Sequence, residues 1–180
     1  SDLTLQVKDT AELIAYGKAN PGKLTYASSG VGTSIHLAGE LFQKLTGIKM
    51  VHVPYRGSAQ AMQDLICGRV DLMFDNITPA LPQVRAGSVR GFGVTTAQRA
   101  PTASEFPPIN DLVPGFDVSS WFALFAPAKP PQAILDRMQA ETKAAIADPV
   151  VRGKMDQLAA QPVGNTPAEL AAFVRAEQTK

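Results

Sequence analysis

Residues 24–34 read LTYASSGVGTS, a short strand pattern followed by a loop of small and hydroxylic residues. The segment after the loop carries apolar side chains at three- and four-residue steps, as one face of a helix does, at Ile35, Ala38, Leu41, Phe42 and Leu45. A strand that passes through a small-residue turn into an amphipathic helix is the repeating unit of an α/β fold with a mainly parallel sheet. We therefore predict this fold class, with a strand at residues 24–27 and a helix that ends at Gly47.

The same unit recurs along the chain. Residues 50–53 and 70–74 are predicted strands that each lead through a polar turn into a helix, and residues 91–95 are a fourth predicted strand. Four prolines in residues 99–115 predict a surface loop, and the apolar and aromatic residues 118–125 predict an extended strand. The sheet is thus expected to be flanked by the helices that connect its strands.

Capping patterns mark helix starts. Asp9 or Thr10 followed by Glu12, and Thr166 followed by Glu169, match the capping box, in which a side chain early in the helix bonds back to the cap. Helices are accordingly predicted at residues 11–19, 59–66 and 132–147, and from residue 166 onward.

Composition excludes several classes of function. The 180 residues contain 17 Lys and Arg against 16 Asp and Glu, a net charge of +1, so nucleic acid is not an expected partner. A single cysteine, Cys67, excludes an intrachain disulfide and a cysteine-based zinc site, and its apolar neighbours predict burial. We expect neither a metal nor a cofactor. The first seven residues carry no export signal pattern, which leaves a cytoplasmic protein or an exported one whose upstream part is absent.

Three strand-to-helix turns are the candidate binding site. In an open α/β sheet, ligands bind beyond the carboxyl ends of the strands, where these turns meet. The candidate ligand-binding residues are Ser28, Ser29, Gly30, Gly32, Thr33, Ser34, Tyr55, Arg56, Gly57, Ser58, Asp75 and Asn76.

The chemistry of the first turn favours an organic carboxylate. Amide hydrogens and the positive end of the helix dipole lie where the helix begins after Ser34, and they favour an anion. The turn has no Lys or Arg and lacks the Gly-Lys-Ser/Thr ending of a phosphate loop, so a carboxylate fits better than a triphosphate. The alternative is structural: Ser and Thr merely cap a helix, Tyr55 packs, Arg56 is solvated and Asp75 caps the next helix.

Enzymatic motifs find little support. There is no Gly-x-Ser-x-Gly elbow, and no base for Ser28 or Ser29 can be identified from the sequence. The Gly30-Val31-Gly32 pattern has Ile35 where a dinucleotide fingerprint has its third glycine. His36 and His52 are expected to be structural. Binding without turnover is therefore favoured, with a small serine hydrolase as the weaker alternative.

Several stretches match one family in order, namely residues 26–33, 36–42, 52–58, 70–76, 119–122, 126–127 and 166–177. In them the chain resembles the Bug family, the TctC-type periplasmic solute-binding proteins of tripartite tricarboxylate transporters. The resemblance implies a type II periplasmic-binding-protein-like α/β lobe in a two-lobed protein that binds small carboxylates between its lobes. It also implies a periplasmic location, delivery of ligand to a membrane permease and no enzymatic activity, and it places the ligand on the three turns above.

The resemblance also implies a domain organisation. Residues 1–118 would form the ligand-binding lobe, and residues 119–180 a crossover strand and C-terminal helices that belong to the other lobe. The chain would then be N-terminally truncated, and we expect its exposed C-terminal apolar surface to drive homodimer formation or domain exchange. A ligand-sensing domain of a regulator shares this lobe architecture and remains the alternative from another functional class.

Overall fold

The computed structural model describes residues 1–179. The chain divides into two compact units, Ser1–Trp121 and Phe122–Lys180. The assignment of residues 119–180 to a second lobe of the family fold stays a prediction.

The first unit is built on a parallel sheet, as predicted. Its strands are β1 (Leu24–Ser28), β2 (Met50–Pro54) and β3 (Leu72–Met73), in the order β2-β1-β3, with Leu24 opposite Met50 and Tyr26 opposite Leu72. The helices of this unit are α1 (Thr10–Ala19), α2 (Ser34–Thr46), α3 (Ser58–Ile66) and α4 (Ile77–Arg85). The alternation of strand and helix confirms the α/β class.

Side chains alternate between the two faces of the central strand, and each face supports its own core. Tyr26 packs on one face with Phe42 of α2 and with Phe116, all fully buried. Ala27 packs on the other face with Met62 and Leu65 of α3. Leu45, at the C-terminal end of the apolar face of α2, is exposed and lines a surface groove.

Two predicted strands are absent from the described residues. Residues 91–95 form a single bridge, between Val94 and Pro108, and residues 118–125 form no strand. Val94 exchanges backbone hydrogen bonds with Pro107 and Ile109, but prolines have no amide hydrogen, so the pairing cannot extend into a ladder.

The prediction of a simple surface loop at residues 99–115 is wrong. The segment contains two short 3-10 turns, Pro101–Ala103 and Ile109–Asp111, and it buries Ile109 and Val113 in the same core as the adjoining Phe116. Cys67 likewise contradicts the expectation of burial, because it is exposed at the end of α3.

The second unit is helical. It comprises α5 (Gln132–Ala147), α6 (Pro149–Gln157) and α7 (Pro167–Thr179). α5 has its predicted bounds, and the predicted capping box at α7 forms, since Thr166 and Glu169 exchange side-chain-to-backbone hydrogen bonds. α6 was not predicted, although Asp148 is its cap and Pro149 occupies the first helical position, where its missing amide costs nothing. Within residues 1–179, no helix has the length and apolar character needed to span a bilayer.

Candidate functional site

The first two turns are joined through the main chain. Tyr55, the residue after β2, donates its amide hydrogen to the Ser28 carbonyl at 2.9 Å, which continues the pairing of β1 and β2 by one residue. The segments that follow the two strands therefore leave the sheet edge side by side, as the parallel topology requires.

The glycine turn after β1 is held by its own side chains. The Ser28 hydroxyl is buried and accepts the Gly30 amide hydrogen at 3.2 Å, while the Thr33 hydroxyl donates to the Gly30 carbonyl at 2.8 Å. Gly32 donates its amide hydrogen to Nδ1 of His36 at 3.1 Å. Gly30 and Gly32 have φ values of 138° and 80°, conformations that residues with a Cβ rarely adopt. The Thr33 amide hydrogen is donated to the Gly30 carbonyl at 3.4 Å, so three amides of this turn are engaged within the protein.

The start of α2 supplies further donors beside this turn. Thr33 caps the helix by accepting the His36 amide hydrogen. The amides of Ser34 and Ile35 lie in the first helical turn, where no intrahelical carbonyl is available to them. Anion binding at this turn would therefore use the helix start together with the Ser34 hydroxyl, more than the glycine amides.

A hydroxyl–carboxylate contact joins the second and third turns. Ser58, the first residue of α3, lies with Oγ 2.7 Å from each carboxylate oxygen of Asp75. Burial raises the pKa of Asp75, and the hydrogen bonds from Ser58 and the Asn76 amide oppose that rise. The cap of α3 is Gly57, which has no side chain with which to satisfy the first amides of the helix.

Ser120 connects the first turn to the third, and it is not among the site residues predicted from the sequence. Its hydroxyl lies 2.7 Å from the Ser34 hydroxyl and donates to the side-chain oxygen of Asn76 at 2.7 Å. The first and third turns are thus bridged by a residue 44 positions from Asn76 and 86 from Ser34. The signal that pointed to Ser120 was its place in the family-like stretch at residues 119–122.

Tyr55 and Arg56 have different environments. The Tyr55 hydroxyl donates to Asp64 at 2.8 Å, and Asp64 pairs with Arg69 at 2.7 Å, so the ring is fixed against α3. Burial raises the pKa of Tyr55, and the contact with Asp64 adds to the rise. Arg56 is exposed, and its guanidinium makes no ion pair with the residues the structure describes.

A base does lie beside Ser28, contrary to the sequence analysis. Nε2 of His52 is 2.6 Å from the Ser28 hydroxyl. The two residues occupy neighbouring strands, and only the strand register brings them together. The Ser28 side chain is fully buried, however, so a substrate carbonyl cannot reach its oxygen.

Within residues 1–179, no cluster of three or more His, Cys, Asp or Glu side chains is placed to hold a metal ion.

The three linked turns lie at the carboxyl edge of a parallel sheet, the edge at which open α/β folds bind their ligands. The sequence profile of the tripartite tricarboxylate transporter family receptors matches residues 4–180. The chain belongs to this family, as the sequence predicted. The family and its solved members are periplasmic solute-binding proteins, not enzymes.

Similar proteins extend this assignment. The UPF0065 protein in the tcbD-tcbE intergenic region of Pseudomonas sp. (strain P51) is 41% identical over 172 residues, which are 94% of this chain and 51% of that protein. R. palustris Rpa4515, solved with adipate, is 36% identical with a TM-score of 0.88, over 98% of this chain and 59% of that one. MatC from Rhodopseudomonas palustris, solved with bound malate, is 30% identical with a TM-score of 0.83, over 94% and 59%. The chain spans about half the length of the curated relatives it matches.

Proposed function

We propose that this chain carries the carboxylate-binding turns of a periplasmic receptor that captures a small organic acid and delivers it to the permease of a tripartite tricarboxylate-type transporter. The proposed ligand class is supported by the relatives solved with adipate and malate, both of which are dicarboxylates. The proposed contacts are the residues of the three turns, joined by Ser120.

One observation carries the proposal. Ser34, Ser120 and Asn76 form a continuous hydrogen-bonded chain across the sheet edge, and Ser58 with Asp75 extends it to the start of α3. Hydroxyl and amide groups of this kind can turn their hydrogens toward a carboxylate without a cation beside it. The starts of α2 and α3 add their dipoles at the same edge.

The experiment is a calorimetric titration of this chain with adipate and with malate. Adipamide, which has the same carbon skeleton without charge, is the matched ligand control. Ser120→Ala should weaken binding about fivefold, the equivalent of one hydrogen bond of about 1 kcal/mol. Ser119→Ala is the matched protein control, because the neighbouring hydroxyl makes none of the recorded contacts between turns, and it should bind as the wild type does.

Two outcomes would contradict the proposal. Equal binding of adipate and adipamide would show that charge is not recognised, and equal losses in the two serine variants would show that the Ser120 bridge does not contribute. Delivery to a permease is tested separately: cells that lack the gene should lose uptake of the labelled acid, and the intact gene should restore it.

The alternative function, a ligand-sensing domain of a regulator, is disfavoured because the family is one of transporter receptors.

A further inference from the structure

Three aromatic rings pack against one another beneath the glycine turn. His52 of β2 lies against Tyr26 of β1, with ring centroids 4.9 Å apart, and against His36 of α2, at 4.2 Å. Tyr26 is fully buried, and its hydroxyl donates to Glu40 at 2.5 Å. The stack therefore links both strands and α2 directly under residues 28–34.

Each histidine contacts the turn at a different point. Nε2 of His52 is 2.6 Å from the Ser28 hydroxyl, at the start of the turn. Nδ1 of His36 accepts the Gly32 amide hydrogen, near its end. A segment with two positive-φ glycines has many accessible conformations, and these two contacts help the bonds of Ser28 and Thr33 with Gly30 to hold one of them.

We infer that His36 and His52 are positioning residues for the ligand-binding turn, and that the turn keeps its binding conformation only while His36 is uncharged. This inference rests on the proposed function, since it concerns the affinity of the same site. It adds a dependence on pH beyond that of Asp75, the carboxylate among the proposed contacts.

The two histidines respond differently to a proton. Protonation of His36 puts a hydrogen on Nδ1, so this nitrogen can no longer accept the Gly32 amide hydrogen and the two donors face each other. The contact between His52 and Ser28 survives in either state, because the hydroxyl can donate to the ring or accept from it. His36 is therefore the residue through which acid loosens the turn.

Glu40 and Tyr26 are the other titratable groups that face the two histidines. Burial lowers the pKa of His52 first, the charge of His36 lowers it further, and Glu40 opposes both effects. Nε2 of His36 lies 3.8 Å from the Glu40 carboxylate, on the same face of α2. Tyr26 remains a protonated donor, because burial and Glu40 raise its pKa.

Two substitutions at one position separate positioning from packing. In His36→Asn, the side-chain carbonyl oxygen replaces Nδ1 at the same number of bonds from the backbone, so it can accept the Gly32 amide hydrogen but cannot titrate. In His36→Leu, apolar volume is kept and the acceptor is lost. His52→Gln places an amide group at the position of Nε2 and should retain the contact with Ser28.

The experiment measures adipate affinity by calorimetry from about pH 8 to about pH 5, the range in which histidines titrate. We expect wild-type affinity to fall more steeply with acid than that of His36→Asn, which keeps only the titration of adipate and of Asp75. At pH 8, His36→Leu should bind about fivefold more weakly, and His36→Asn should recover most of that loss. Equal pH slopes for wild type and His36→Asn would overturn the inference.

A second readout needs no ligand. Hydrogen exchange of the Gly32 amide should be faster in His36→Leu than in wild type. As the pH falls, and after correction for the intrinsic pH dependence of exchange, the protection of this amide should decrease in wild type but not in His36→Asn. An unchanged Gly32 amide in His36→Leu would refute the positioning role. If adipate fails to bind any variant, the proposed function fails and the exchange result still decides the role of His36. If His36→Leu does not fold, the comparison of wild type with His36→Asn decides it.

Discussion

Gly39 in the middle of α2 allows the closest approach of that helix to the buried ring of Tyr26. A Cβ at this position would lie 2.3 Å from Cε2 and 2.7 Å from Cδ2 of the ring. Ordinary carbon contacts are about 3.5–4.0 Å, so Gly39→Ala requires the ring or the helix to move by more than an ångström. The ring has little freedom to do so, because it is fully buried, stacked on His52 and bonded to Glu40.

The change in the free energy of unfolding expected for Gly39→Ala combines opposing contributions. Overpacking of a core costs about 1–3 kcal/mol, and loss of the Tyr26–Glu40 hydrogen bond adds about 1 kcal/mol. Replacement of a helical glycine by alanine returns about 1 kcal/mol of helix propensity. We expect Gly39→Ala to lower the free energy of unfolding by about 2 kcal/mol and to weaken adipate binding, since Tyr26 supports the histidines under the turn.

Gly153 of α6 provides the matched control. It is also a helical glycine, but a Cβ there meets no atom within 4 Å, so Gly153→Ala should stabilise its helix by about 0.5–1 kcal/mol. The two positions belong to different compact units, so the assay is hydrogen exchange measured separately for α2 and α6. A double variant with Tyr26→Leu should show that the two changes are coupled. The steric reasoning is refuted if Gly39→Ala stabilises α2 as Gly153→Ala stabilises α6.

Four further predictions concern the site and the surface. Burial raises the pKa of Asp75, so its charge opposes folding above that pKa: Asp75→Asn should stabilise the protein near neutral pH, and in urea unfolding across pH the gain should vanish as the pH falls through the Asp75 pKa. Thr33→Ala and Asp9→Ala each remove a helix cap and should each cost about 1 kcal/mol in thermal unfolding, but calorimetry should show weaker adipate binding in the Thr33 variant alone. A fluorophosphonate probe should leave Ser28 unlabelled in mass spectrometry despite the adjacent His52, and labelling would revive the hydrolase alternative. The exposed aromatic side chains of the second unit should drive self-association at micromolar concentration, and sedimentation as a compact monomer would rule this out.

The sequence predicted local features well, because they are encoded over a few neighbouring residues. The bounds of α5 and the Thr166–Glu169 capping box follow from helical periodicity and cap chemistry. The failure at residues 91–95 has the same origin: an apolar alternation predicts a strand, but the partner segment contains Pro107 and Pro108, which cannot continue a ladder.

Contacts between residues far apart in the chain could not be predicted from the sequence. The bridge from Ser34 through Ser120 to Asn76 depends on where residue 120 returns to the sheet edge, and no spacing rule specifies that point. The contact between Ser28 and His52 depends on strand register, which sets Ser28 opposite Pro54 and Tyr26 opposite His52. The sequence therefore located the three turns along the chain and left open which of their atoms meet.

The engagement of the glycine amides changes how the proposed site must recognise an acid. Gly30 and Gly32 give their hydrogens to Ser28 and His36, so these glycines provide backbone shape more than donors. At the first turn, recognition would then rely on the Ser34 hydroxyl and the start of α2, which carry no full charge and are easily rehydrated when a ligand leaves. A buried cation would bind a carboxylate more tightly but would cost more to desolvate and would slow release. Uncharged donors at the first turn would suit a receptor that must release its ligand, since they allow faster dissociation than a buried cation. This agrees with the absence of Lys and Arg from residues 28–34.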